Sequence, residues 1–115
     1  MQVYRWEEIK REQMNPLLAR QVIHTDYMTL SRLELSKGCV VPEHSHANEQ
    51  ISMVETGSMK FMLGGREVIL KPGDTLRIPP HLPHSVEALE DSIGLDLFSP
   101  RREDWLRGDD SYLRK

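Results

Sequence analysis

The chain has 115 residues, a net charge of −3 and an apolar fraction of 38%, which fits one ordinary domain that buries a core without staples. No basic field invites nucleic acid or an anionic membrane. No apolar run is long enough to span a bilayer, and the single Cys39 excludes an intrachain disulfide. A lone cysteine suits a reducing compartment. The charged first ten residues hold no apolar leader segment, so the expected compartment is the cytoplasm.

In chain order, residues 7–20 read as a short helix or loop whose continuity Pro16 limits. Short alternating runs then dominate: 21–23, 28–35, 40–41, 50–55, 59–63, 67–70, 75–78, 85–89 and 92–98. Lys37-Gly38 and Thr56-Gly57 mark breaks, and Gly64-Gly65 signals a two-residue hairpin. Lys71-Pro72-Gly73-Asp74 carries type II turn chemistry. Many short strands with Gly/Pro turns predict an all-β sandwich or small barrel. Cys39, Met53, Met59 and Met62 are expected as core filler. After Pro100, residues 102–107 are helix-compatible, with Gly108 as a stop. Trp105, Tyr112 and Leu113 are expected to pack this tail onto the barrel or onto a partner subunit, and Trp6 and Trp105 to cover barrel ends or an interface. The expectation is one domain over residues 1–115, with a core of about 20–99 and a tail from 100 onward.

His44-Ser45-His46, followed by Gln50, carries the strongest chemical signal. Histidines at i and i+2 of a strand share a face, and neutral imidazoles are the commonest transition-metal ligands. His84 follows a proline-rich turn and supplies a third ring from another segment. Three histidines and the Gln50 amide form a mostly neutral, borderline-hard set. Such a set suits a divalent Ni, Fe, Mn, Co, Zn or Cu ion, with coordination positions left open for substrate. Glu49 and Gln50 are neighbours, so in a strand only one of them reaches the metal. His24 and His81 lack partners at ligand spacing. His24 is expected to be structural, and His81 to lie at the pocket mouth or in solvent.

These segments resemble the cupin superfamily. Gly38, five residues, His44-Ser45-His46, Gln50 and Gly57 are similar to the first cupin motif. Gly73, five residues, Pro79 and His84 are similar to the second. Fifteen residues, 58–72, separate the two, as in compact bacterial single-domain cupins. The resemblance implies a small jelly-roll β-barrel of six to eight strands with the metal inside, usually paired as a homodimer. Gln50 departs from the usual first-motif glutamate, His81 from a glycine and Ala88 from an asparagine. The last two positions are not expected to bind metal.

A narrower resemblance comes from Asp96-Leu97-Phe98-Ser99-Pro100-Arg101-Arg102-Glu103-Asp104. It is similar to a segment of the KdgF-type cupins, which linearise 4,5-unsaturated monouronates from pectin and alginate. The resemblance puts functional roles on Asp96, Phe98 and Arg102. Strand alternation separates Ile93, Leu95 and Leu97 from Gly94, Asp96 and Phe98, and predicts that the first face is buried in an apolar layer. If the second face lines the barrel, Asp96 sits in a partly dry pocket that raises its pKa and fits it for proton transfer. Phe98 is then an apolar wall, and Arg102 a bidentate grip for a substrate carboxylate. The plainer alternative has Asp96 in water and Arg102 paired with Glu103 or Asp104 on the surface. Arg101 is the rival carboxylate binder. The expected function is metal-dependent ring opening of an unsaturated uronate. A metal-dependent dioxygenase and a non-catalytic sugar-binding module are the alternatives.

Overall fold

The structure, a computed structural model, describes residues 1–115. Ten strands carry the fold: β1 (Glu12–Asn15), β2 (Leu18–His24), β3 (Thr29–Leu35), β4 (Val40–His44), β5 (Glu49–Thr56), β6 (Met59–Leu63), β7 (Arg66–Leu70), β8 (Thr75–Ile78), β9 (His84–Ala88) and β10 (Ser92–Ser99). They form a six-stranded sheet in the order β1-β2-β3-β10-β5-β8 and a four-stranded sheet in the order β4-β9-β6-β7. Every pairing is antiparallel. All nine predicted runs become strands. The ten strands lie in two facing sheets, more than the six to eight the resemblance implied.

Period-two patterning decides which side chains meet between the sheets. β3 buries Thr29, Ser31, Leu33 and Leu35 and leaves Leu30, Arg32 and Glu34 half-buried. β5 buries Gln50, Ser52 and Val54. Leu18, Leu35, Val54, Phe61, Leu70 and Ile78 belong to the apolar core, and each such burial is worth roughly 1.5–3 kcal/mol. The polar positions of the same face gather toward one end of the barrel. The β6–β7 hairpin turns at Gly64-Gly65, with φ of 52° and 82°, the positive values a type I′ turn requires.

Three expectations are corrected. Residues 7–20 hold no α-helix: a 3-10 turn at Trp6–Glu8 precedes β1 and β2. Pro16 sits at the β1–β2 corner, where Asn15 Oδ1 accepts from Leu17 N at 2.9 Å and closes an Asx turn. Ile93, Leu95 and Leu97 are only half-buried, because β10 turns Gly94, Asp96 and Phe98 inward and these three outward. Met62 is exposed, while Met59 and Phe61 on the alternate positions of β6 are buried. Trp105 packs the tail onto the barrel as expected, buried 5.2 Å from the Phe98 ring.

The C-terminal tail folds back over the end of the barrel. A one-turn helix, α1 (Glu103–Leu106), places Trp105, and a 3-10 turn at Ser111–Leu113 places the buried Leu113. Asp110, itself buried, accepts from buried Arg20 at 2.9 Å. Asn15 Nδ2 donates to the Leu113 carbonyl at 3.0 Å. The tail thus packs on its own barrel. No helix is long and apolar enough to cross a membrane.

Candidate metal centre

His44 closes β4, His84 opens β9, and the two pair directly across the four-stranded sheet. His46 lies just beyond β4, in the connection to β5, so the pair at i and i+2 is not wholly on a strand. The three rings nonetheless converge. Their ligand-capable nitrogens lie within 4.8 Å of one another.

The hydrogen bonds fix which nitrogen each ring presents. Nδ1 of His44 lies 2.8 Å from the Pro42 carbonyl, Nδ1 of His46 3.1 Å from the Asn48 carbonyl, and Nδ1 of His84 2.8 Å from the Leu82 carbonyl. A carbonyl only accepts, so each Nδ1 carries the proton and each Nε2 a lone pair. Nε2 of His84 is buried with no partner, which is costly unless something electrophilic meets it. Nε2 of His46 faces Gln50 Oε1 at 3.0 Å. The Gln50 amide nitrogen is turned away, donating to Ser52 Oγ at 2.9 Å. Two acceptors therefore confront each other, an arrangement that a bound cation satisfies. Desolvation by burial, followed by the nearby imidazoles and Arg102, holds His44 at about 4; burial, then Arg102 and His84, holds His46 at about 4. Both stay neutral at physiological pH, as ligands must be. This donor set fits a borderline transition metal held by His44, His46, His84 and Gln50.

Glu49 takes no part. It points outward and pairs with Arg77 at 2.7 Å, both side chains exposed. Gln50→Ala is therefore expected to weaken metal affinity about 10-fold or more, and Glu49→Gln to leave it unchanged, when measured by competition with a chromophoric chelator. His24 bonds to Thr29 Oγ1 at 2.8 Å as a structural group. His81 is exposed at the turn before His84, and its backbone N–H donates to the His46 carbonyl at 2.8 Å.

The polar row continues inward from the three histidines and Gln50. Asp96 stands opposite Ser52 and Ser31 in register, and Phe98 opposite Gln50. Ser52 Oγ donates to Asp96 Oδ1 at 2.6 Å. The chain His46–Gln50–Ser52–Asp96 thus links the histidines to the carboxyl. Asp96 lines an internal cavity with His44, His84, Gln50, Phe98 and Arg102. Burial pushes its carboxyl up, against the opposing hydrogen bonds from Ser52 and Gln50 and the Arg102 charge.

Arg102 is buried, with 1% of its surface exposed. Its guanidinium lies 4.7 Å from the Phe98 ring centre and 4.3 Å from that of Trp105. Nε and Nη2 donate to Asp104 at 3.0 and 2.8 Å. Arg102 does pair with Asp104, as the plainer alternative held, yet inside the site and not on the surface. Arg101, the rival, bonds Glu103 at 2.6 Å at the surface and does not line the cavity. Two lining residues escaped the sequence. Ser52 was detectable, as the polar middle of an inward Gln50-Ser52-Val54 alternation. Tyr112, stacked on His44 with ring centres 4.4 Å apart, gave no periodic signal.

A two-sheet antiparallel barrel with three convergent histidines at one end defines a cupin. The Cupin domain model matches residues 31–98, and the chain belongs to that family. Within it, the chain is similar to the pectin degradation protein KdgF of Dickeya dadantii (strain 3937), 31% identical over 103 residues, which are 87% of this chain and 94% of the other. The solved structure of KdgF from Halomonas sp. superposes with a TM-score of 0.85 at 32% identity, covering 91% of this chain and 98% of that one. An RmlC-like cupin from Shewanella frigidimarina NCIMB 400 gives a TM-score of 0.85 at 27% identity, over 91% and 96% of the two chains. Bacillus subtilis oxalate decarboxylase shares the fold at 19% identity.

Proposed function

We propose that the protein is a metal-dependent enzyme that opens the ring of 4,5-unsaturated monouronates to the 5-keto-4-deoxyuronate. One observation carries this: a desolvated carboxyl, Asp96, and a buried guanidinium, Arg102, line the same cavity as His44 and His84, the two histidines that converge with His46. The similarity to two KdgF proteins, one named for pectin degradation, supports a sugar acid as substrate.

The substrate is a cyclic enol ether with a hemiacetal at C1. Opening removes the O1 proton, breaks C1–O5 with the electron pair left on O5, and adds a proton at C4. No electrons are gained or lost. Arg102, the one cation lining the cavity, holds the C6 carboxylate. Phe98 closes the apolar side. Asp96, whose carboxyl burial pushes above its ordinary value, moves the proton. A divalent metal on His44, His46, His84 and Gln50 supplies Lewis acidity toward substrate oxygens.

The reaction destroys the C4–C5 double bond, and its ultraviolet absorbance reports turnover directly. Metal-loaded protein is expected to clear that absorbance. A rate no faster than buffer would exclude the proposed reaction.

We also propose a homodimer formed by the outer face of the six-stranded sheet. Half-buried Leu30, Leu97 and Ile51 fall in one cross-strand row of that face beside the buried Ile23, an apolar line that a partner could extend. Leu97→Arg is expected to convert a sedimenting dimer to a monomer. Wild type sedimenting as one chain would refute the dimer.

A further inference from the structure

The Tyr112 hydroxyl has an unusual hydrogen-bond balance. It accepts from Arg102 Nη2 at 3.0 Å and from Trp105 Nε1 at 3.2 Å. A guanidinium and an indole N–H only donate, so both phenol lone pairs are engaged. The phenol's own proton is then left to donate, and no protein acceptor takes it. The ring is fixed by its stack on His44, and the residue lines the same cavity as Asp96, His84 and Arg102.

We propose that Tyr112 is a substrate-contact residue that donates its proton in a hydrogen bond to the ring oxygen of the bound uronate. This rests on the ring-opening reaction proposed above. The ring oxygen O5 is bonded to C5, the carbon that carries the C6 carboxylate held by Arg102. A ligand gripped by Arg102 therefore brings O5 beside the group hydrogen-bonded to that guanidinium. When C1–O5 breaks, the pair stays on O5 and forms an enolate. A donor already aimed there stabilises charge that exists only after the ground state. Arg102 and Trp105, by donating to the phenol, orient its O–H without competing for the proton.

The test is Tyr112→Phe, which keeps the ring stacked on His44 and removes the hydroxyl, both the donor to substrate and the acceptor of Arg102 Nη2 and Trp105 Nε1. Kinetics on the unsaturated monouronate are paired with bound-metal content and with galacturonate affinity, read from Trp105 fluorescence. The expected result is a fall in kcat of about 10²-fold. KM and galacturonate affinity should stay within about threefold and metal content should be unchanged. A residue that merely holds Arg102 would raise KM and weaken galacturonate binding instead. That outcome, or a kcat within threefold of wild type, overturns the proposal while the ring-opening reaction stands. Wild-type protein that carries metal but opens no ring overturns both.

Discussion

Asp96→Asn is expected to lower kcat by about 10³-fold, the usual scale for a positioned proton-transfer group, with bound metal unchanged. Asparagine keeps an oxygen to accept from Ser52 Oγ and preserves the shape, so the loss reports proton transfer and not collapse. A second readout has the opposite sign. Burial raises the Asp96 carboxyl above its ordinary value. The folded state then holds its proton where the unfolded chain has already released it. The protonated form is stable below the ordinary carboxylate range, and that stability is lost as pH rises toward the raised value. Asparagine carries no such penalty. Thermal melts should show the variant more stable than wild type at neutral pH, with the gap closing as pH falls to the ordinary aspartate range. Lost activity with gained stability is the signature of a strained functional group. An active variant, or one destabilised at neutral pH, contradicts the role assigned to Asp96.

Arg102→Met is expected to reduce kcat/KM by about 10–100-fold, mainly through KM, because charge-assisted hydrogen bonds are worth about 1.5–3 kcal/mol. Methionine keeps an apolar filler between Phe98 and Trp105, while no other cation lines the cavity to take the carboxylate. Lysine is not expected to rescue: the guanidinium is planar, lies against two aromatic rings, and meets Asp104 through two nitrogens. The variant also strands Asp104. Burial alone raises that carboxyl, and the hydrogen bonds and charge of Arg102 bring it below the ordinary range. Asp104 is partly exposed and rehydrates, so the stability loss should be modest beside the loss of substrate affinity. Steady-state kinetics and a thermal melt separate the two effects.

The convergence of His44, His46, Gln50 and His84 was legible because particular residue types recur there at particular spacings. Strand alternation also placed Asp96 and Phe98 on a shared face. It could not say which face of β10 looked inward, since Ile93, Leu95 and Leu97 were the more apolar set. The inward choice follows from pairing: Asp96 meets Ser31 and Ser52, and those polar residues satisfy it in a way apolar neighbours cannot. Residues 12–20 were illegible because Pro16 and short mixed runs suit a loop as well as a hairpin corner. Tyr112 was hidden for a different reason. Its place depends on how the tail is tied down, through Arg20 to Asp110 and Asn15 to Leu113, contacts about ninety or more residues apart in sequence. No local pattern encodes them. The Arg102–Asp104 pair was foreseen, but its burial depended on the same fold-back.

The most direct measurement is to strip the protein with chelator, return divalent metal in steps, and follow unsaturated monouronate absorbance at each step. The stripped protein is expected to show no turnover, and activity is expected to rise to a plateau at one metal per chain. His84→Ala should bind no metal at the same concentrations and stay inactive. Full activity in the stripped protein, or one metal bound per chain without any loss of the double bond, would contradict metal-dependent ring opening.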